Sequence, residues 1–371
     1  MNTSLEAEYW VVDDDGELVP PETLLELSDR IDPEFVEPMI ELKTTPCATM
    51  AELRAEFRDL LGAVVEAARE RDKRLVPLAT PLHATPSEIP YRDKRGTDLQ
   101  RRIVGPTFDD ARVCAGTHFH FERAESSDRV ADQLNALTAV DPAFTLVNSA
   151  SHYRGEQILE CARPYLYRRS CYDACPEQGQ LWPYVESVDE WERRLESAYD
   201  RFRERALERG VDPAAFDDEF DPYDTVWTPV RLREEVPTVE WRSPDAALPG
   251  QTFRLAETVR SIVDRAATAG TVVDVEDGRR VGVGMGVSGE GPVQLPAFET
   301  VEEITDAAIR DGMADDGVRS YLRDLGFSPE AYDPLANRLP DSRLTKPEAK
   351  RLRLEAASEL EREVGKRPAR A

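Results

Sequence analysis

The chain has 371 residues, 40% of them apolar, which is enough for a proper core, and no apolar run reaches transmembrane length. Its formal net charge is −26, and only six of its 47 basic residues are lysine. That balance argues against nucleic acid as a partner, fits a protein working in a high-salt cytoplasm where cations screen self-repulsion, and makes isolated acids uninformative.

Acids matter here only where they interrupt apolar, β-patterned segments. The first such segment is Thr3 to Val12, a predicted strand followed by the turn Asp13-Asp14-Asp15-Gly16. Side chains alternate along a strand, so Leu5, Ala7 and Tyr9 share one face and Glu6 and Glu8 the other, about 7 Å apart. A short helical stretch is predicted over Pro21 to Ile31. A second strand is predicted over Phe35 to Thr45, with Glu37, Met39, Glu41 and Lys43 on one parity and Pro38 suggesting a bulge. Thr49 to Arg74 reads as a helix: Thr49-Met-Ala-Glu52 fits a capping box, and Leu53, Phe57, Leu60, Leu61, Val64 and Ala68 recur at helical spacing. Leu75 to Ala79 returns as a strand, and Pro81 to Gly105 reads as irregular and locally basic.

Val113 to Phe121 is the next strand. It carries two of the chain's four histidines, His118 and His120, on one face, with Thr117, Phe119 and Phe121 on the other. A strand pair of this kind fits a metal or phosphate site, or one core histidine and one surface histidine. A helix over Asp128 to Val140 follows, then an apolar segment, Pro142 to Ala150, broken at His152-Tyr-Arg-Gly155. Arg163, Arg168 and Arg169 then alternate with tyrosines, a pattern that serves anionic ligands or plain surface. A charge-laced helix over Val188 to Glu208 reads as exposed, and Asp212 to Asp224 as an acidic loop. Thr225 to Arg231 and Val236 to Asp245 read as a hairpin, with Thr238, Glu240 and Arg242 on one face. Thr252 to Thr268 is helical, the glycine-rich Gly282 to Gly291 a flexible loop or hairpin, and the remainder helical, with Thr345 to Ala371 fraying. The five cysteines, odd in number and without C-x-x-C spacing, exclude a disulfide framework and a zinc ribbon. The N-terminus has no leader pattern, so the expected location is cytoplasmic.

The charged strand faces offer Glu6, Glu8, Glu34 or Glu37, Glu41, His118 and Glu240, with Arg242 beside them. Such a carboxylate set is tolerable on one face only around divalent cations, and hard oxygen donors favour magnesium. Several magnesium ions beside arginine suit phosphoryl transfer.

Leu5-Glu-Ala-Glu-Tyr9, Glu37-Pro-Met-Ile-Glu-Leu-Lys-Thr-Thr-Pro-Cys47, Cys114-Ala-Gly-Thr-His-Phe-His120 and Pro237-Thr-Val-Glu-Trp-Arg-Ser-Pro-Asp245 resemble, in order, the motifs of the carboxylate–amine ligases of the glutamate–cysteine ligase family. The likeness is to the archaeal and bacterial branch, haloarchaeal enzymes included, and covers about residues 1–265. The resemblance implies an α+β fold with a large curved, mainly antiparallel sheet and helices on its outer face, like the catalytic domain of glutamine synthetase. It implies a single domain over 1–371 with a helical C-terminal part from about 297. It also implies ATP as co-substrate, two or three Mg²⁺ ions, and glutamate and cysteine joined through γ-glutamyl phosphate to γ-glutamylcysteine, ADP and phosphate; the alternative is the same chemistry on another amine.

By motif, Glu8, Glu34 and Glu41 would hold one ion, and Glu6, His118 and Glu240 the ion on the phosphates. Glu240 and Arg242 would be catalytic, with Arg242 on the transferring phosphoryl group. Thr117, Arg154, Arg163 and Arg242 would bind substrate. Ala7 stands where relatives carry a middle acid, but it points to the opposite face. Against this stand a metal- or nucleotide-binding protein without catalysis, and a metallohydrolase using His118 and His120.

Overall fold

The computed structural model describes residues 1–273 and 291–365. Most of the glycine-rich stretch (282–290) and the last six residues lie outside the described residues. Strand β1 (Thr3–Asp13) is the axis of the fold. Strands β2 (Ile31–Pro33) and β3 (Met39–Lys43) follow it, then helix α1 (Met50–Arg69) and strand β4 (Lys73–Val76). Helix α2 (Arg95–Val104) precedes β5 (Thr117–Glu122), and α3 (Ser127–Val140) leads to a two-strand ribbon, β6 (His152–Tyr153) and β7 (Glu156–Gln157). The short α4 (Ala162–Tyr165) runs into a π-helical segment, Leu166–Cys171. Helices α5 (Val188–Glu208), α6 (Pro213–Glu219) and α7 (Pro222–Thr225) precede the hairpin β8 (Val230–Arg233) and β9 (Thr238–Trp241). Helix α8 (Pro249–Ala269), the parallel pair β10 (Thr271–Val273) and β11 (Val293–Leu295), and helices α9 (Phe298–Asp311), α10 (Asp316–Asp324) and α11 (Lys346–Gly365) complete the order.

The main sheet runs β2-β3-β1-β5-β9-β8, with β4 pairing the far end of β1, and all its pairings are antiparallel. Its apolar face carries Leu5, Tyr9, Leu42, Phe119, Phe121, Val239 and Trp241, all buried. Helices α1, α3, α8 and α11 pack on the sheet, and one hydrophobic cluster runs from Leu5 to Leu360. The expected α+β architecture is therefore the observed one. Among the described residues no helix is long and apolar enough to cross a membrane.

The local deviations have local causes. The expected strand from Phe35 forms a ladder only from Met39, because the chain turns at Glu37-Pro38 and leaves Val36 in an isolated bridge to Tyr91, and the stretch read as helical is a short 3-10 turn followed by β2. Helix α1 starts at the expected capping box but stops at Arg69, where Asp72 takes a positive φ and β4 begins. The stretch read as irregular contains α2, which buries Thr97, Ile103 and Val104. The strand expected from Val113 is paired as β5 only from Thr117, since Pro106–Val113 forms a 3-10 turn. Helix α5 is not exposed all round; Trp191, Leu195, Ala198, Phe202 and Ala206 form a buried stripe beneath its charges. The acidic loop is two short helices, because Asp212 and Asp221 accept hydrogen bonds from their first-turn N–H groups. Helix α11 does not fray within the described residues: Ala349, Leu352, Ala356 and Leu360 are buried against the body.

Candidate active site

Cross-strand register assembles the polar face of the sheet. Asp32 lies opposite Glu41, Glu41 opposite Glu8, Lys43 opposite Glu6, Glu6 opposite His118, His120 opposite Glu240, and Glu240 opposite Arg231. Since facing residues project to the same side, one polar band crosses β2, β3, β1, β5, β9 and β8. Glu34 reaches this band from the loop between β2 and β3. Arg92 holds that loop: its Nε donates to the Glu34 carbonyl at 2.8 Å and its Nη2 to the Glu37 carbonyl at 2.9 Å.

Three sets of donor atoms converge, each within 4.8 Å: Glu8, Glu34 and Glu41; Glu6, Glu41 and His118; Glu6, His120 and Glu240. His118 is central. Its Nδ1 is 3.5 Å from Glu6 Oε2 and 3.6 Å from Glu240 Oε1, and its Nε2 is 3.7 Å from Glu8 Oε1. His120 Nε2 is 3.3 Å from Glu6 Oε2, while its Nδ1 is 3.2 Å from Thr238 Oγ1. Gly116 N–H donates to Glu8 Oε2 at 2.6 Å and fixes that carboxylate from the side. Glu37 is not part of any of these sets.

The electrostatics divide the band. Burial, reinforced by Glu8 and opposed by Lys43, pushes Glu34 up to about 8. Burial and the neighbouring Glu34 and Glu6 raise Glu41 well above the usual range. At the other end burial also works against the Glu240 charge, but Arg231 and Arg242 outweigh it and hold Glu240 well below that range. Burial lowers His118, so its ring is neutral, the state that ligates. Burial also opposes the Lys43 charge, yet Glu41 and Glu6 push its ammonium up.

Arg231 Nε lies 2.5 Å from Glu240 Oε2, and Arg242 Nε lies 3.2 Å from Glu240 Oε1. The Arg242 guanidinium sits 5.2 Å over the Trp227 ring, partly exposed at the edge of the band. Glu240 Oε1 and His120 Nε2 are buried without a hydrogen-bond partner. Five carboxylates facing three fixed cations, two neutral-capable imidazoles and buried atoms left unpartnered make a donor set that fits hard divalent cations.

The other expected site residues stand elsewhere. Thr117 is on the opposite face, where its hydroxyl donates to the Asp245 carbonyl at 3.0 Å. Arg163 is buried, and its Nη1 donates to the Arg242 and Ser243 carbonyls at 2.9 and 3.0 Å, so it braces the strand end that presents Arg242. It lies so close to Gly116 that a Cβ there would meet Nη2 at 2.2 Å and would force the Arg163 guanidinium to shift. Arg154 is exposed at the tip of the β6–β7 ribbon, stacked 4.8 Å from the Tyr153 ring centroid. Behind β9, Arg168 pairs with Asp141 at 2.7 Å and donates to Ser243 Oγ at 2.7 Å, while Asp141 also accepts from Trp241 Nε1 at 2.9 Å and from Ser243.

Four residues of the band were not named as site residues from the sequence: Asp32, Lys43, His120 and Arg231. For three the signal was present, since His120 shares a face with His118, Lys43 shares the parity of Glu41, and Arg231 is a charge between Val230 and Leu232. Asp32 becomes visible only through the register of β2.

Comparison with known proteins bears on family and fold. A family model described as glutamate-cysteine ligase family 2 matches residues 5–283. A putative glutamate–cysteine ligase 2 of Jannaschia sp. (strain CCS1) is 29% identical over 179 residues, 47% of this chain and 44% of that protein. A protein of the same description from Ruegeria pomeroyi is 25% identical over 250 residues, 65% of this chain and 59% of that one. The chain thus spans about half the length of these curated relatives. Among solved structures, a bifunctional glutathione synthetase from Pasteurella multocida aligns with a TM-score of 0.60 at 15% identity, over 97% of this chain and 52% of that one. A glutamate–cysteine ligase from Francisella tularensis in complex with AMP aligns with a TM-score of 0.55 at 15% identity, over 98% and 81%. At that identity the likeness is one of fold.

Proposed function

The chain belongs to glutamate-cysteine ligase family 2, and from that membership we propose that it is an ATP- and Mg²⁺-dependent ligase joining the γ-carboxylate of L-glutamate to the amine of L-cysteine. The observation that supports this most is the polar band itself, with three overlapping divalent-cation donor sets ending at Arg242. In this reading residues 1–371 act as one catalytic domain, with the helices from about 297 supporting the sheet, and the reaction takes place in a salt-rich cytoplasm.

Glu8, Glu34 and Glu41 would hold one ion, and Glu6, His118 and Glu240, joined by His120, the ion nearer the nucleotide phosphates. The bound ions would neutralise phosphate charge and orient the terminal phosphoryl group. A γ-carboxylate oxygen of glutamate attacks the terminal phosphorus of ATP, and ADP leaves. The amine of cysteine then attacks the acyl carbon, the bond to phosphate breaks, and the amine gives up a proton. Arg242, held by Glu240, Trp227 and the buried Arg163, would meet the charge that builds on the transferred group. Arg154 is the exposed cation available to a substrate carboxylate. Thr117 and Arg163 act in this scheme through the backbone they hold.

The test is ADP release at high salt with Mg²⁺, glutamate and a panel of amines, with the product identified by mass. Cysteine-dependent release giving γ-glutamylcysteine supports the proposal. Turnover with a different amine keeps the chemistry and replaces the acceptor. No ATP turnover with any amine defeats it.

A further inference from the structure

Among the described residues Lys43 is the one ammonium in the carboxylate band, and its surroundings are lopsided. Its Nζ lies 2.8 Å from Glu41 Oε2, 3.0 Å from Asp32 Oδ2 and 3.9 Å from Glu6 Oε1. Glu41 is buried and belongs to two of the three donor sets, whereas Asp32 belongs to none and is half-exposed. The ammonium therefore spans from a ligand carboxylate inside the band to a spare carboxylate at its rim. Register makes this arrangement obligatory: Lys43 faces Glu6 across β1, two residues along the same face from Glu41, and Asp32 faces Glu41 across β2.

A cation at 2.8 Å from one oxygen of a carboxylate occupies coordination space that a divalent ion would use, and it repels that ion at short range. It also relieves the repulsion among Glu6, Glu8, Glu34 and Glu41 when no divalent ion is bound. We infer that Lys43 is a built-in exchangeable cation: it holds the Glu41 end of the band together without metal, competes with divalent-ion binding there, and moves its ammonium to Asp32 when the ion arrives. This rests on the reading of the band as a divalent-metal site. Lys43 would then set how tightly, and in what number, ions bind, leaving the Glu240 end to the arginines.

The experiment is a titration with Mn²⁺ alone, following bound ion by paramagnetic resonance and stability by thermal melting, on the wild type and on Lys43→Met, Lys43→Arg and Asp32→Asn. For K43M the expected result is about tenfold tighter binding of at least one ion, a lower metal-free Tm, and a saturated Tm equal to that of the wild type. K43R keeps the charge and should bind as the wild type does. D32N commits the ammonium to Glu41 and should weaken binding in the wild-type background, but not in a D32N/K43M double variant. Lys43→Gln serves as the neutral variant if K43M does not fold.

Unchanged or weaker Mn²⁺ binding in the neutral variant overturns the inference, as does a Tm loss that is the same with and without Mn²⁺. A D32N effect that persists without Lys43 would make Asp32 a ligand and overturn the exchange. Failure of the wild type to bind Mn²⁺ would overturn the metal reading itself, and this inference with it.

Discussion

Two buried charge networks meet at β9, one on each side of the strand end, and they are built differently. Behind the strand, Arg168, Asp141, Ser243 and Trp241 form a charge-balanced set of one guanidinium, one carboxylate and two neutral donors, although Asp141 Oδ2 and Arg168 Nε and Nη1 are buried without a hydrogen-bond partner. In front, five donor carboxylates and Asp32 face only three cations, Lys43, Arg231 and Arg242, so negative charge is in excess. A charge-balanced network supports itself, whereas one with excess negative charge draws cations from solution. The contrast separates the part of the molecule that holds shape from the part proposed to bind ions and nucleotide, and mutations on the two sides should respond oppositely to magnesium.

The largest effect should come from Glu240→Gln. It removes the one carboxylate held ionised between two arginines, and with it a donor of the ion set beside Arg242. Ligase turnover should fall by about 10³-fold or more, the scale at which charge-stabilising groups act in phosphoryl transfer. The melting temperature should also fall, because buried Arg231 is left with only the exposed Asp224, at 3.8 Å, as counter-ion. Steady-state ADP release together with circular dichroism checks both. Near-normal turnover would take Glu240 out of the site.

Next is Asp141→Ala. Removing one partner of a buried pair costs about 3–5 kcal/mol, and added Mg²⁺ should restore none of it, since among the described residues no donor set includes Asp141. Denaturant unfolding with and without Mg²⁺ measures this. A magnesium-dependent rescue would mean that the two networks are not separate.

The sharpest contrast is in pH. Raised carboxylates bind more protons folded than unfolded, so they lower stability as pH climbs from the unfolded value toward the folded one. Glu34, raised to about 8, contributes at most about 1.4 kcal/mol per pH unit over that window, and Glu41 acts in the same direction. Lowered His118 opposes them, but only below its unfolded value near 6.5. Between pH 6.5 and 8 the metal-free protein should therefore lose stability steadily, and saturating Mg²⁺, by holding the carboxylates ionised, should flatten the slope. Asp245, pushed up by burial to about 7, lies outside the band, so its smaller contribution should survive magnesium. A slope unaffected by Mg²⁺ would mean that these acids do not hold the ion.

How much of this could be read in the sequence follows from the same physics. The strand-borne acids and His118 were legible because period-two alternation in an apolar segment fixes the face of each side chain, and register follows from packing the other face. Glu34 sits in a loop, and the residues alone left it open against Glu37 until the resemblance chose it, because its position depends on Arg92 closing that loop from more than fifty residues away. The bracing role of Arg163 was hidden for the same reason: its partners are backbone carbonyls of Arg242 and Ser243, which no side-chain pattern announces. Helix α5 was misjudged as exposed because charge dominates its composition, although Trp191, Leu195, Ala198 and Phe202 keep helical spacing. Helix α2 was missed because Gly96 lies in its first turn and no side chain caps it.

The smallest effect tests whether the charge-balanced network matters to the acidic one. Ser243 Oγ accepts from Arg168 and donates to Asp141, and the residue directly follows Arg242. Ser243→Ala deletes those bonds but keeps the Arg168–Asp141 pair and the backbone contacts from Arg163, so the stability loss should be about 1–2 kcal/mol. If the network behind β9 also aims Arg242, kcat should fall several-fold while the dissociation constant for Mn²⁺ stays unchanged, because no cation donor has moved. If it only holds shape, Tm should drop and kcat should remain as it was. Measuring all three on one variant tells a brace for Arg242 from a core polar cluster that happens to lie behind it.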